Sequence, residues 1–389
     1  MLDSFNIVWI SKSLKACLIF GSWLTEVSYC WGYSRLQSLH DCRFTFHDIY
    51  LCRMKPIFST AYSTLSPNAL ATVISEKYGF KNVDCRLFLR GVGDTYMVEA
   101  DDNRFVLRIY RNTHRSLQQI EAEVALLLAL KEADVSVAYP IADFAGNAIQ
   151  AFDAAEGTRY GVLFIYAPGK ALTKLGELHL QNLGVEMAKF HNVSSAIVLN
   201  GSRWEFNLET TSFSPLEMLQ TSFVEDAEGY AWLQRAASFV QKQLGKLNTA
   251  AFSKGYCHFD FLPKNFHFDE TAQVTFFDFD FFGHGWLVND IMTFWQHLCL
   301  DVHFGKLPQD EADKAFAIFI EAYRSIRPLS NDELKAMPYL ALGFWLFYMA
   351  FHTTHDQFYP FVQPAHLKLR VDLVKKLMEH YWGDDFLNA

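Results

Sequence analysis

Several patterns that define common protein classes are missing from this 389-residue sequence. It has no run of five or six lysines and arginines, and its formal net charge is -9. A nucleic-acid-binding surface is therefore not indicated, because such a surface needs clustered positive charge. The chain also lacks internal repeats and low-complexity tracts. We expect no nucleic-acid partner, and an anionic ligand would need a local basic site.

Cysteine is sparse and irregularly placed. The seven cysteines are an odd number, and none has the paired close spacing of zinc sites or of a small disulfide framework. This usage favours a reducing compartment, so we expect a cytoplasmic protein. The longest dense apolar run, 339–351, is shorter than the ~20 residues that a membrane-spanning helix needs. It predicts a buried helix, and we expect no membrane partner.

The chain nevertheless has ample material for a core, since 51% of its residues are hydrophobic. Residues 1–53 differ from the rest: they hold four of the seven cysteines and show no sustained period. We interpret 1–53 as an extension of doubtful structure, adventitious to a working domain that starts near Met54. Residues 54–167 are predicted to form an N-terminal lobe, and 168–389 a C-terminal lobe.

The order of predicted elements gives the fold class. Ser66 and Pro67 mark the start of a first helix and Gly79 its end. Predicted strands follow at 84–90, 95–100 and 104–111. A helix with a 3.6-residue period covers 116–133, and a buried strand covers 160–166. Most later segments have a helical period. The sequence therefore predicts an α+β fold with a small antiparallel-sheet lobe and a larger, mainly helical lobe.

Residues 255–285 contain nine phenylalanines and four aspartates in 31 positions. Burying a carboxylate costs several kcal/mol unless it is paired, hydrogen-bonded or bound to a metal. Solvated aspartates at the ends of half-exposed strands are the simpler alternative. A hairpin of 266–268 and 274–277 would place Asn265 opposite Asp278, and an amide oxygen beside a carboxylate suits Mg²⁺. Asp260 lies close enough in the chain to reach the same position and to act on the proton of an attacking hydroxyl.

These motifs resemble a known family. "HFDFLPKN" and "FFDFDFFGHGWLVND" are similar to the catalytic and metal-binding segments of the aminoglycoside phosphotransferase and choline kinase-like family, which has a protein-kinase-like fold. The resemblance is nearest to the stress response kinase and homoserine kinase-like branch. It implies that Asp260 is the catalytic aspartate, that Asn265 and Asp278 hold Mg²⁺, and that His258 and Asp290 brace the catalytic loop. Asp280 is left open between ligation and a capping or solvated role.

The resemblance also implies that 54–167 is the nucleotide-binding lobe and 168–389 the catalytic and substrate lobe, and it assigns an ATP site. "FVLRIYR" is similar to the strand whose lysine contacts the α- and β-phosphates, but this chain has arginine there, which has a planar, forked geometry. The expected ATP-binding residues are Arg108, its helix partner Glu123, Gly91 and Gly93 over the phosphates, Phe164 and Tyr166 at the adenine, and Lys264 near the γ-phosphate or in solvent.

The resemblance implies an ATP- and Mg²⁺-dependent phosphotransferase that phosphorylates a hydroxyl of a small molecule of aminoglycoside, amino-alcohol or homoserine type. Trp286, Trp295, Trp345 and Tyr348 are candidates to line the acceptor pocket or to belong to the core. Three alternatives stay open at this point: a protein serine/threonine kinase, a nucleotide-binding pseudokinase, and a metal-dependent phosphoesterase.

Overall fold

The computed structural model describes residues 58–200, 203–383 and Phe386, together with two short strands near the N-terminus. The chain divides into two compact units, 1–59 and 60–389. In the first unit, β1 (Leu18–Phe20) and β2 (Trp23–Thr25) pair antiparallel. The interpretation of 1–53 as an adventitious extension otherwise falls outside the described residues. The remaining description concerns 60–389.

The first lobe of this unit is built on an antiparallel sheet. Its five strands lie in the order β3-β4-β5-β7-β6. They are β3 (Asp84–Arg90), β4 (Gly93–Ala100), β5 (Asn103–Tyr110), β6 (Ile149–Ala154) and β7 (Gly157–Ile165). The sequence predicted four of them and missed β6, a six-residue strand at a partly exposed edge whose mixed polar and apolar residues give no clear strand pattern.

Two helices complete this lobe. Helix α1 (Pro67–Tyr78) begins with proline in its first turn and ends at Gly79, whose φ of 71° is the left-handed conformation that glycine adopts without strain. It packs buried apolar side chains against the sheet. Helix α2 (Leu117–Glu132) begins with a capping box formed by Ser116 and Gln119. Both helices fall where the sequence placed them.

The second lobe is mainly helical. Its helices are α3 (Glu177–Ser194), α4 (Ser214–Leu219), α5 (Ala227–Leu244), α6 (Val288–His303), α7 (Gln309–Ile326), α8 (Asn331–His352) and α9 (Pro364–Trp382). By length and composition α8 resembles a membrane-crossing segment, but 67% of its most apolar window is buried within the fold. The predicted buried helix at 339–351 lies inside α8.

Two small sheets support the motif region. Strands β8 (Trp204–Phe206), β9 (Lys254–Cys257) and β12 (Gly283–Trp286) form a sheet in the order β8-β12-β9. Strands β10 (Phe266–Phe268) and β11 (Val274–Phe276) form the predicted hairpin. Seven of the nine phenylalanines in 255–285 are buried in the main core: 259, 261, 266, 268, 276, 279 and 282. The aromatic residues therefore anchor the hairpin, and the polar residues occupy its open end.

The segment that follows β7 connects the lobes beside this hairpin. Lys170 and Phe268 exchange two backbone hydrogen bonds of 3.0 Å. On the other edge of the hairpin, Phe276 N donates to Ser136 O at 2.9 Å. The hairpin is therefore tied on one edge to the linker after β7 and on the other edge to the segment that follows α2, and its open end faces the space between the lobes.

Candidate active site

A tight loop between β9 and β10 presents Asp260. The N–H groups of His258 and Phe259 donate to the carboxylate of Asp290 at 2.8 and 2.6 Å. Asp290 is fully buried near the start of α6 and also contacts His191 Nε2 at 3.1 Å. Phe259 has a φ of 66°, an uncommon conformation for a bulky residue, which the surrounding bonds hold in place. Asp290 thus lies under the loop, in the bracing position that the resemblance implies.

Asp260 and Asn265 are brought together by this loop. Asn265 Nδ2 donates to the backbone oxygen of Asp260 at 2.8 Å and to its Oδ2 at 2.9 Å. The amide nitrogen is therefore committed, and the amide oxygen is oriented away from Asp260, free to bind a cation. Lys264 Nζ lies 2.8 Å from Asp260 Oδ2, although its side chain is largely exposed. Lys264 is therefore an ion-pair partner of Asp260 as well as a lining residue of the nearby cavity.

The hairpin register differs by one residue from the sequence prediction. Phe266 pairs with Phe276, so Asn265 lies opposite Phe277 rather than Asp278. The physical reason is the turn, which spans 269–273 and contains Ala272 at a φ of 63°. Asp278 follows the strand in the left-handed conformation, with a φ of 63°. The polypeptide therefore turns at Asp278, and Asp278 and Asn265 still line the same cavity.

Arg108 on β5 joins the two lobes through carboxylates. Its guanidinium forms an ion pair with Asp278 and lies 3.1 Å from Asp280. Burial alone would lower the pKa of Arg108, but the charges of Asp278 and Asp280 outweigh burial and hold the pKa well above its ordinary value. A planar fork can contact two carboxylates at once, which an ammonium group does less readily. Arginine at this position therefore fits the acidic pair that faces it.

Asp280 is neither solvated nor at a helix cap, the two non-ligand roles considered from the sequence. It is fully buried, and its carboxylate contacts His114 Nε2 at 2.8 Å and Arg115 Nε at 3.0 Å, in addition to Arg108. Burial would raise the pKa of Asp280, but Arg115, Arg108 and His114 hold it well below its ordinary value. Asp280 is the anion at the centre of a buried basic cluster, and both of its oxygens are engaged by protein groups.

Glu123 has different partners from the one expected. Its Oε1 accepts a hydrogen bond of 3.1 Å from Tyr110, and its Oε2 lies 3.9 Å from Arg203. Arg108 instead contacts the two aspartates. Burial raises the pKa of Glu123, and Arg203 offsets this only in part. The expected Arg108–Glu123 pair is therefore replaced, because the longer, forked side chain of arginine reaches across to Asp278 and Asp280.

A cavity of about 430 Å³ lies between the lobes. Phe164 to Ala167 line one side, and Arg108, Glu123, Lys264, Asn265 and Asp278 lie at its polar end. From the first hairpin, the lining residues are Phe88, Leu89 and Thr95. Gly91 and Gly93 form the tight turn beyond them, and Gly91 O accepts a hydrogen bond of 3.0 Å from Gln357. A mostly apolar cavity with charged groups at one end suits a nucleoside polyphosphate.

The four aromatic candidates for an acceptor pocket lie in different places. Trp295 packs on Tyr381 at the far side of the lobe, and Trp286 packs on Phe252. Trp345 is partly buried next to Phe344. Tyr348 lies near Asp260. Burial and the charge of Asp260 both raise the pKa of Tyr348 well above its ordinary value.

The fold and this site define a two-lobed protein of the protein-kinase-like class. A five-stranded antiparallel lobe and a helical lobe enclose the cavity, and the acidic residues lie where the lobes meet. The model of the phosphotransferase enzyme family matches residues 84–329. The chain belongs to that family, and the expectation of a phosphotransferase of the kinase type is confirmed.

Individual comparisons agree with this membership. An uncharacterized protein of Deinococcus radiodurans is 30% identical over 292 residues, which cover 75% of this chain and 83% of the relative. Homoserine kinase of Polaromonas naphthalenivorans is 25% identical over 270 residues, which cover 66% of this chain and 78% of the relative. The structure of a microcompartment-associated aminopropanol kinase superposes with a TM-score of 0.64 at 21% identity, covering 81% of this chain and 98% of that one. The last match confirms the fold.

Proposed function

We propose that this enzyme transfers the γ-phosphate of ATP, with Mg²⁺, to a hydroxyl of a small molecule. The observation that carries the proposal is that Asn265 and Asp278 line the polar end of the interlobe cavity, with Asp260 Oδ2 2.9 Å from Asn265 Nδ2. Two carboxylates and an amide oxygen are a suitable set for phosphoryl transfer, in which positioning and charge stabilisation supply most of the rate.

Each residue has a proposed part in the transfer. Asp260 receives the proton of the acceptor hydroxyl while the oxygen of that hydroxyl bonds to the γ-phosphorus. The bond from the γ-phosphorus to the β,γ-bridging oxygen breaks, and ADP leaves. Lys264 and Asn265 keep the Asp260 carboxylate oriented. Arg108 is placed to contact the α- and β-phosphates through N–H donors that its aspartate partners leave available.

The residues present fit a hard divalent cation. The amide oxygen of Asn265 is left free by the two bonds of its nitrogen, and the carboxylate of Asp278 is partly exposed toward the cavity. Amide and carboxylate oxygens are ligands that Mg²⁺ prefers. When bound, Mg²⁺ would supply positive charge to the β- and γ-phosphates. Asn265 and Asp278 are the residues we propose to hold it.

Removing one proposed ligand tests this assignment. Asp278→Asn keeps the side-chain shape but loses the charge that faces the cation. We expect ATP with Mg²⁺ to raise the melting temperature of the wild type, and this shift to be largely lost in Asp278→Asn. The control is ATP with EDTA, which should give little shift in either protein. An undiminished Mg²⁺-dependent shift in the variant would contradict the proposed ligand role.

Exchanging Arg108 for lysine tests the arginine at the phosphate-contact position. A single ammonium group cannot keep both aspartate contacts and also contact phosphates bidentately. We expect KM for MgATP to rise about tenfold, as for the loss of one charge-assisted hydrogen bond of ~1.5 kcal/mol. The matched control is Arg86→Lys, an exposed arginine of the same sheet that pairs with Glu99. An unchanged or lower KM would contradict the claim that the forked guanidinium of Arg108 is needed at this position.

The free thiols support a proposal for the compartment. Cys85, Cys257 and Cys299 are free and buried in the described part of the chain. Burial raises the pKa of Cys85 and Cys299 to about 12, so these thiols are unreactive in the folded protein. We propose that the enzyme works in the cytoplasm, where thiols remain reduced.

A further inference from the structure

A second basic cluster lies outside the interlobe cavity, where the end of α8 meets α9. Arg370 on α9 donates from NH1 to Nδ1 of His352 at 2.8 Å, and its guanidinium lies 5.2 Å from the ring centre of Phe361. A guanidinium has five N–H donors, and this is the hydrogen bond that the structure gives it. Most of the donor capacity of Arg370 is therefore unused.

Arg370 also lacks the partner that other enclosed arginines of this chain have. Arg108, Arg115 and Arg159 each contact a carboxylate. Among the side chains that the structure describes, no carboxylate lies within ion-pair distance of Arg370, although its side chain is half-buried. Burial lowers its pKa, and no nearby acid offsets that effect. Enclosing a cation without an anion costs free energy, so an anionic ligand would compensate here.

The cluster adjoins the reaction centre. His352 follows Tyr348 by one helical turn, their ring centres are 6.3 Å apart, and Tyr348 is the tyrosine next to Asp260. Lys264, which bonds to Asp260, is near enough to His352 to contribute to its low pKa of about 4, after burial, Arg370 and His355. Arg370 and His352 thus lie near the position of an acceptor whose hydroxyl contacts Asp260.

The tautomer of His352 gives its ring one N–H donor in addition to those of Arg370. Its imidazole is neutral near pH 7, and its Nδ1 accepts from Arg370, so Nε2 carries the hydrogen. The pair therefore offers one positive charge and several N–H groups. This matches a carboxylate, which is a monoanion with two acceptor oxygens. A polycationic acceptor would be repelled by Arg370 and Lys264.

We propose that Arg370 and His352 form a subsite for a carboxylate on the acceptor, so that the enzyme phosphorylates a hydroxy or amino acid in preference to the corresponding amino alcohol. The inference rests on the proposed kinase function and specifies its substrate class. It assigns recognition of the acceptor to α8 and α9, away from the residues that bind ATP.

Matched acceptors isolate the carboxylate. L-Homoserine and 3-amino-1-propanol, L-threonine and 1-amino-2-propanol, and L-serine and ethanolamine each differ by that one group. ADP release is measured with each compound and with an aminoglycoside. We expect kcat/KM for the acid to exceed that for the amine by about tenfold or more in at least one pair, the effect of a charge-assisted carboxylate contact.

Variants of α9 link that preference to Arg370. In Arg370→Gln we expect KM for the acid to rise to about the value for its amine, while KM for the amine and for MgATP stay unchanged. Arg370→Lys keeps the charge and should retain part of the preference. Lys368→Gln removes an exposed charge from the same helix and should behave as wild type.

The outcomes separate the two claims. A preference for the amines or the aminoglycoside, or an acid-to-amine ratio that Arg370→Gln leaves unchanged, would overturn the carboxylate subsite and leave the kinase function standing. ADP release with none of these acceptors would count against the proposed function itself, and the carboxylate subsite would fall with it.

Discussion

Replacing Asp260 with asparagine is expected to lower kcat by about a thousandfold, within the range that a positioned general base contributes. Asparagine preserves the hydrogen-bonding shape but cannot accept the proton of the acceptor hydroxyl. Lys264 and Asn265 both contact Oδ2 of Asp260, and the amide oxygen of asparagine can accept from both. The loop should therefore keep its conformation. The measurement is ADP release at saturating MgATP and acceptor.

The control for this variant is Asp269→Asn. Asp269 lies in the turn of the same hairpin, where its Oδ1 accepts hydrogen bonds from Thr271 and Gln273, and an asparagine oxygen can accept the same bonds. Asp269→Asn should therefore keep wild-type turnover. Both variants should retain the MgATP-dependent rise in melting temperature. A similar kcat for wild type and Asp260→Asn would contradict the proposed role of Asp260. If the wild type were as inactive as Asp260→Asn, the result would favour a pseudokinase.

Replacing Asp280 with asparagine is expected to lower the free energy of unfolding by about 3–5 kcal/mol, as when one partner of a buried ion pair is removed. Asp280 is fully buried, and the variant would leave Arg115 and Arg108 without the anion that balances them. Urea denaturation measures the change. Asp332→Asn, which removes a partly exposed carboxylate paired with Lys335, is the control and should cost less than about 1 kcal/mol.

This result also distinguishes anchoring from metal ligation. If Asp280 anchors the lobes, stability falls in the absence of nucleotide and metal. A variant that is as stable as the wild type but no longer responds to Mg²⁺ would contradict the anchoring role. It would indicate instead that Asp280 ligates the cation.

The local signals in the sequence were sufficient for the elements around the site. Pro67 and Gly79 define the ends of α1, and the polar turn between two phenylalanine-rich runs predicts the hairpin. The register was wrong by one residue because it depends on the conformation of the turn, where Ala272 is left-handed, which side-chain identity does not specify. The position of Asn265 and Asp278 at one end of the hairpin does not depend on that detail.

The environment of Asp280 could not be read from the sequence in the same way. His114 and Arg115 are more than 160 residues away in the chain, and their contact with Asp280 depends on how the two lobes pack. One signal was present: the basic segment 111–115 follows directly on the strand that carries Arg108. Its proximity to the acidic motif could have suggested a charge cluster, but not which carboxylate it engages.

The pairing of Arg108 with Asp278 and Asp280 instead of Glu123 also depends on how the two lobes pack. The expected partner, Glu123, was chosen by analogy with a lysine, whose charge is a single point. Arginine spans the distance to Asp278 and Asp280, and Glu123 is left with Tyr110 and Arg203. A substitution at one position thus changes the pairing of several buried charges, which sequence spacing alone does not reveal.

The most direct test of the central claim is ³¹P NMR of the enzyme with MgATP and the panel of alcohols. The account predicts that the γ-phosphate signal of ATP disappears while ADP and a new phosphomonoester signal grow in equal amounts with at least one alcohol. Growth of inorganic phosphate without an ester, or hydrolysis of an added phosphoester while ATP stays intact, would contradict it.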